Sequence, residues 1–297
     1  MRAVLTGLCV TLWIVSGLAQ TPLQADLRAQ LQRRLDDVAA RLDGVVGIAV
    51  TDLTSGERIA ARLETQPFPT ASTIKLAILY ELLKQADEGR VDLAAPRNLE
   101  RAQVVGGSGV VQHLDLPRLS LRDHAALMVI VSDNTSTNVV IDAVDPARVN
   151  ARMSGLGLGD ILLRRKMMDA DAVRRGDENV ASPASLERIA QLLWKGEGLT
   201  SGRRDLGQSM LRQVSGRIRA AVPPAIRVAS KTGTLDGVRA EAAIVEVPKR
   251  PFSIAVTTAY LRVDADGERA IGEIAAAVFS YFDRLASGGE FGRRSPR

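Results

Sequence analysis

The strand-like segments of this chain sit at its two ends, and that placement limits the fold more than any other feature. "VVGIAVTDL" and "ERIAARL", separated by Thr54-Ser55-Gly56, read as a β-hairpin near the start. "IRVASKTGT", "RAEAAIVEV" and "FSIAVTTAYL" read as three more strands near the end. Between them, from about 65 to 225, the pattern is helical with Gly- and Pro-rich breaks. Leu23 to Leu42 has the period of an amphipathic helix, and "ERAIGEIAAAVFSYFDRLAS" closes the chain as a long one. Strands do not alternate with helices, which argues against a doubly wound parallel sheet. Short links between strands imply antiparallel pairing. The expected architecture is a mixed α/β (α+β) fold. It has a five-stranded antiparallel sheet flanked by the terminal helices and an all-helical region beside it. The sheet part takes about 20–64 and 226–287, the helical part about 65–225, within one domain spanning 20–297. A crevice between the two parts is a natural place for a site.

The chain has 297 residues, 46% hydrophobic and 25% charged, enough for a substantial core. Only 3% are aromatic, so the core must be aliphatic, and stacking surfaces for nucleic acid are scarce. Residues 1–19 read as a secretory signal peptide. Arg2 is its basic start, Val4 to Leu18 its apolar stretch, and Gly17-Leu18-Ala19 its small-residue cleavage site. The run is short for an uncleaved anchor. Cys9, the single cysteine, lies in it and follows Leu8, which does not suit a lipoprotein site. The exported chain would then have no disulfide, no thiol chemistry and no stable membrane anchor. Arg2 is the only charge before Asp26, so cleavage takes the formal charge from +5 to +4. That suits a soluble surface in the periplasm or outside the cell, and the tail "GRRSPR" reads as a frayed terminus.

Within the helical region, "FPTASTIKLAILYELLK" places Ser72 and Lys75 three residues apart where an apolar helix begins. A lysine in such a helix must be paired or have its pKa lowered. One turn brings hydroxyl and amine to the same face. A serine hydroxyl becomes a nucleophile when a neighbouring base takes its proton, and a partly neutral lysine can be that base. A helix N-terminus disfavours the lysine's charge and offers backbone N–H groups around Ser72. Two further motifs follow: Ser132-Asp133-Asn134 after the apolar helix "LRDHAALMVIV", and Lys231-Thr232-Gly233 at the end of a strand. Each alone is weak or moderate as a signal, and S-x-N recurs at Ser136-Thr137-Asn138. The three in this order are far less expected by chance. Ser132 could pass a proton to a leaving nitrogen. Asn134 could hold a substrate amide and the Lys75 amine. Lys231 and Thr232 could bind a carboxylate. The N–H groups of Ser72 and Thr234 could form an oxyanion hole.

Here the sequence resembles the serine β-lactamase and penicillin-binding-protein superfamily, nearest to class A β-lactamases. "FPTASTIK" resembles that family's F-P-x-x-S-T-x-K segment, and "SDN" and "KTG" match its second and third motifs. "GGSGVVQHL" and Ser182-Pro183 also resemble family segments, and the likeness runs over about 25–287. It implies the β-lactamase-like fold and a monomer without cofactor. The substrate would be a small β-lactam or a peptidoglycan peptide. It also implies Ser72 as nucleophile, Lys75 as base, Ser132 as proton relay and Asn134 as substrate contact. Lys231, Thr232, Gly233 and Thr234 would make the carboxylate site, with Arg239 as a possible support.

One departure bears on turnover. The family carries a glutamate on a loop after the second motif, which activates water against the acyl-enzyme. Here the loop is "LLRRKMMDADAVRRGDENVASP", with no glutamate between Ser154 and Asp177. Alignment on Gly176-Asp177 puts Met167 at the glutamate position. Asp169 and Asp171 are the carboxylates that could stand in, each a methylene shorter. Glu178 comes too late.

The structural alternatives are plain. Ser72 and Lys75 would be a helix cap and a snorkelling lysine, and Ser132-Asp133-Asn134 a turn and N-cap. Asp169 and Asp171 would be solvated loop charges. His113 and His124 have no partnered motif and read as structural. "GLGLGD" follows no strand and reads as a turn. No Cys/His cluster and no H-E-x-x-H occurs, so no metal is expected. The expected function is a secreted class A-like β-lactamase that hydrolyses the β-lactam amide; the alternative is a penicillin-binding D-Ala-D-Ala peptidase or esterase trapped by β-lactams, and a non-catalytic β-lactam sensor comes last.

Overall fold

The structure, a computed structural model, describes residues 21–289 and 291–293. The expected leader, with Cys9, lies outside the described residues, as do 294–297 of the tail. Helix α1 (Pro22–Arg41) starts on a capping box: Thr21 Oγ1 accepts from Gln24 N, and Gln24 Oε1 accepts from Thr21 N, both at 3.3 Å. Pro22 fills the first helical position, where its missing N–H costs nothing.

Five strands follow the order read from the sequence: β1 (Val45–Asp52), β2 (Arg58–Arg62), β3 (Val228–Leu235), β4 (Val238–Val245) and β5 (Phe252–Ala259). They form one antiparallel sheet in the spatial order β2-β1-β5-β4-β3. The N-terminal hairpin therefore docks on the C-terminal meander through β1 and β5, and β3 is left as an edge. Between β2 and β3 come α2 (Lys75–Asp87), α3 (Leu121–Ile130), α4 (Asn134–Val144), α5 (Pro146–Gly155), α6 (Ala170–Arg174), α7 (Pro183–Lys195), α8 (Ser201–Leu211) and α9 (Arg217–Ala220). Helix α10 (Asp264–Ser287) closes the chain. It begins a turn before the apolar period does, because Asp264 and Asp266 suit the positive end of a helix.

Strand alternation divides the core. On one face Ile48, Val50, Ala243, Val245 and Ile254 pack with Leu31 and Leu35 of α1 and with Ile274, Val278 and Phe282 of α10. Phe252 stacks on Phe282 at 4.4 Å, and Tyr281 meets Phe282 edge-on at 5.2 Å. Three of the chain's aromatics thus gather where α10 meets the sheet. On the other face Ala229, Ala242 and Ile244 join a second core built around α2. Eleven of the thirteen α2 residues are buried, as expected of so apolar a helix. Burial at about 1.5–3 kcal/mol per large apolar side chain makes α2 the axis of the helical region. No described helix is long and apolar enough to cross a membrane.

Candidate active site

Ser72 lies in a 3-10 turn, Ala71–Ile74, that leads into α2. The turn is held from outside. Thr70 N donates to Asn179 O at 2.9 Å, and Thr73 Oγ1 donates to Thr70 O at 2.6 Å. Ala71 is pushed to φ 46, a left-handed conformation that non-glycine residues avoid. The reason is packing against β3. A Cβ on Gly233 would stand 2.7 Å from Thr70 O and 3.1 Å from Ser72 N, so the strand of the third motif presses directly on the serine's turn. Only glycine permits that approach.

Lys75 is fully buried. Its Nζ donates to Ser132 O at 2.8 Å, to Ser132 Oγ at 3.0 Å and to Asn134 Oδ1 at 3.2 Å. Ser72 is not among these acceptors. Burial, with the nearby Lys231 charge, pulls the Lys75 pKa well below its ordinary value, and Asp133 opposes the shift only in part. Lys231, also buried, donates to the same Ser132 Oγ at 3.2 Å and to Thr232 O at 3.0 Å. Burial lowers its pKa to about 7, with Glu241 acting the other way. One hydroxyl thus accepts from two amines, 57 and 99 residues away in sequence.

Ser132 takes φ 56, also left-handed. Conformations of that kind cost on the order of 1–3 kcal/mol and persist where the surroundings over-determine them. Here Asp133 does so. It caps α4 by accepting from Ser136 N at 2.8 Å, and its other oxygen accepts from Val110 N at 2.7 Å and Val111 N at 2.8 Å. Asn134 N donates to Ser108 O at 3.0 Å, and its Nδ2 to Gly106 O at 3.0 Å. A Cβ on Gly109 would come within 2.2 Å of Asp133 Oδ2, and one on Gly107 within 2.8 Å of Asn134 Nδ2. The glycine-rich stretch is therefore the strap that seats the second motif.

The remaining predicted residues lie apart from this cluster or at its edge. Thr232 and Thr234 alternate to the sheet face opposite Lys231, half-buried and exposed respectively, on the edge strand. Arg239 is directly opposite Thr234, but its guanidinium bonds Leu235 O, Val238 O, Asp264 and Glu268. It ties the β3–β4 turn to α10 and is not brought to Lys231. Asp169 caps α6 by accepting from Ala172 N at 2.9 Å. Asp171 is exposed and paired with Arg174. Glu178 pairs with Arg165. Among the described residues none of these carboxylates bonds Ser72, Lys75 or Ser132. Met167 is buried, with its backbone clasped by Asn138: Met167 N donates to Oδ1 at 2.8 Å, and Nδ2 donates to Met167 O at 3.1 Å. Asn138 belongs to the second S-x-N copy, whose purpose sequence reasoning missed. His113 is exposed, and His124 is buried with Nδ1 3.0 Å from Ser136 Oγ.

Comparison with known proteins gives a concordant result. The family model described as "Beta-lactamase enzyme family" matches residues 30–282. A β-lactamase from Sphaerobacter thermophilus superposes with a TM-score of 0.80 at 31% identity, over 86% of this chain and 97% of that one. PBP-A superposes at 0.79 with 26% identity, over 90% and 98%. An ancestral class A β-lactamase superposes at 0.78 with 25% identity, over 85% and 100%.

Proposed function

The chain belongs to the beta-lactamase enzyme family, as a class A-like serine hydrolase, and from that premise we propose that β-lactams acylate Ser72. The observation that carries this reading is the buried Lys75 amine beside Ser132 and Asn134, with the Lys231 cation across the same hydroxyl. A lysine depressed by burial and a like charge is available as a base. Lys75 takes the Ser72 proton as Oγ bonds to the lactam carbonyl carbon. The Ser72 and Thr234 N–H groups receive the oxyanion, and preorganised donors of that kind are worth about 3–4 kcal/mol apiece. Both lone pairs of Ser132 Oγ are engaged by amines, so its own proton is free to point at the leaving nitrogen. As the C–N bond breaks, Ser132 gives that proton up and recovers one from protonated Lys75. Lys231 holds the substrate carboxylate, Thr232 and Thr234 on the other face reach it around the free edge of β3, Gly233 lets the strand close on Ser72, and Asn134 holds the amide. The chain is exported, with residues 1–19 as its leader.

Hydrolysis of the acyl-enzyme is the step on which two readings divide. In the first, the protein is a β-lactamase that activates water through Asp169, Asp171 or another group. In the second, it is a penicillin-binding peptidase or esterase that releases β-lactams slowly. Met167, apolar and fixed by Asn138 where the family glutamate is expected, favours the second. Intact-mass spectrometry of the protein mixed with a penicillin, followed beside nitrocefin absorbance, separates them. A transient adduct with accumulating product means a β-lactamase, and a persistent adduct means a trapped hydrolase. Ser72→Ala should form no adduct, and labelling that survives this change would overturn the assignment of the nucleophile.

A further inference from the structure

The oddest group near the site is a carboxylate in the middle of the sheet. Glu241 is 1% exposed on the central stretch of β4, directly opposite Thr232 in register. A buried carboxylate is costly unless paired. Its Oε2 accepts from Arg217 N at 2.8 Å and Ile218 N at 3.1 Å, the first turn of α9. A Cβ on Gly216 would stand 2.1 Å from Oε1, so the backbone closes tightly around the group. Oε1 and Ser230 Oγ are buried side by side, and the Ser230 hydroxyl works with the two α9 amides to favour the carboxylate.

Other charges around Glu241 are already committed. Arg217 turns its guanidinium to Glu268 on α10. Arg239, on the same face of β4, is held by Asp264 and Glu268. Lys75 lies beyond Lys231 and is bonded to Ser132 and Asn134. Lys231 leaves the other face of β3, one residue from Thr232, and sees Glu241 through the sheet. In the resulting row, the Glu241 anion sits behind the Lys231 cation, and that cation sits beside the Lys75 base.

We propose that Glu241 is a positioning residue whose buried negative charge keeps Lys231 protonated, and so ready for a substrate carboxylate, across the strand that separates them. The inference rests on the reading of Lys231 as the carboxylate site. Burial raises the Glu241 pKa to about 7 and lowers that of Lys231 to about 7, and the Glu241 charge opposes the fall at Lys231. A charged Lys231 in turn depresses Lys75, which links the carboxylate site to the base.

The test compares wild type with Glu241→Gln, using a penicillin and its uncharged methyl ester, with acylation rates measured from about pH 5 to 9. Without the anion, Lys231 loses its proton at lower pH. The alkaline limb for the free penicillin should move down by about one unit, a loss of about tenfold near pH 8, with the ester much less affected. If the two profiles superimpose, or acid and ester lose equally, Glu241 only caps α9 and the proposal falls. If wild type is acylated by neither compound, the functional reading itself fails, which is a separate outcome. Should Glu241→Gln not fold, carbon-13 titration of lysine-labelled wild type and Glu241→Asp decides. Drawing the charge back by one methylene must lower the Lys231 titration, and an unmoved one would refute the coupling.

Discussion

Gly233→Ala tests whether the third motif's glycine exists to let β3 press on the serine's turn. The added methyl would meet Thr70 O at 2.7 Å, Ala71 Cβ at 3.0 Å and Ser72 N at 3.1 Å. Two of those neighbours are backbone atoms of a turn tied to Asn179, so no flexible side chain can swing aside. Overpacking of this kind costs about 1–3 kcal/mol. For a domain of this size that lowers Tm by roughly 2–10 °C. Relief comes by moving the turn outward, and a displacement approaching 1 Å at a reacting atom costs on the order of 10²-fold in rate. Gly272→Ala is the control, since a Cβ there meets nothing within 4 Å inside α10. Removing a helical glycine should instead stabilise by about 0.5–1 kcal/mol and leave the rate alone. Thermal denaturation and stopped-flow labelling with a fluorescent penicillin report both quantities. If Gly233→Ala melts and labels like wild type, the close approach does not limit where Ser72 sits, and the argument from packing is wrong.

Further expectations concern the loop and the acid limb. Met167→Glu should shorten the lifetime of a persistent penicillin adduct by on the order of 10²-fold, the usual scale for a positioned base. An unchanged lifetime, with the Asn138 contacts intact in the variant's structure, would put the slow step elsewhere. His124 is held below its ordinary pKa of 6.5 by burial, although Asp133 and Asp123 pull it upward. The unfolded chain therefore takes up a proton that the folded chain refuses, and stability falls as pH drops below about 6.5. His124→Gln should flatten the urea midpoint between about pH 6.5 and 5, and an unaltered slope would assign the acid sensitivity to other groups.

Much of the architecture was legible because it is written in local periods. The alternation in "RAEAAIVEV" marks a strand wherever it lies, and the unbroken apolar run after Ser72 marks a buried helix. Short links such as Asp236-Gly237 permit only antiparallel neighbours, and the residue types of the three motifs carry their chemistry with them. The sequence therefore determined the elements, their order and the set of groups available. What it could not contain is which of those groups meet. Lys75 and Lys231 converge on one Ser132 hydroxyl only because the sheet edge and the helical region close on each other. The left-handed turn at Ser132 depends on a strap some 25 residues earlier, seated on Asp133 by glycines whose reason is steric. Asn138 looked like a chance repeat until the loop folded back onto it, and Arg239 shares a register with Thr234 yet spends its charge on α10. Nothing in the sequence sets Glu241 apart from the other residues of its strand. Tertiary structure covered that face with α9 and α10, and desolvation turned a commonplace carboxylate into a buried partner for Lys231. Periodicity is a property of neighbours along the chain, whereas burial and charge coupling belong to neighbours in space.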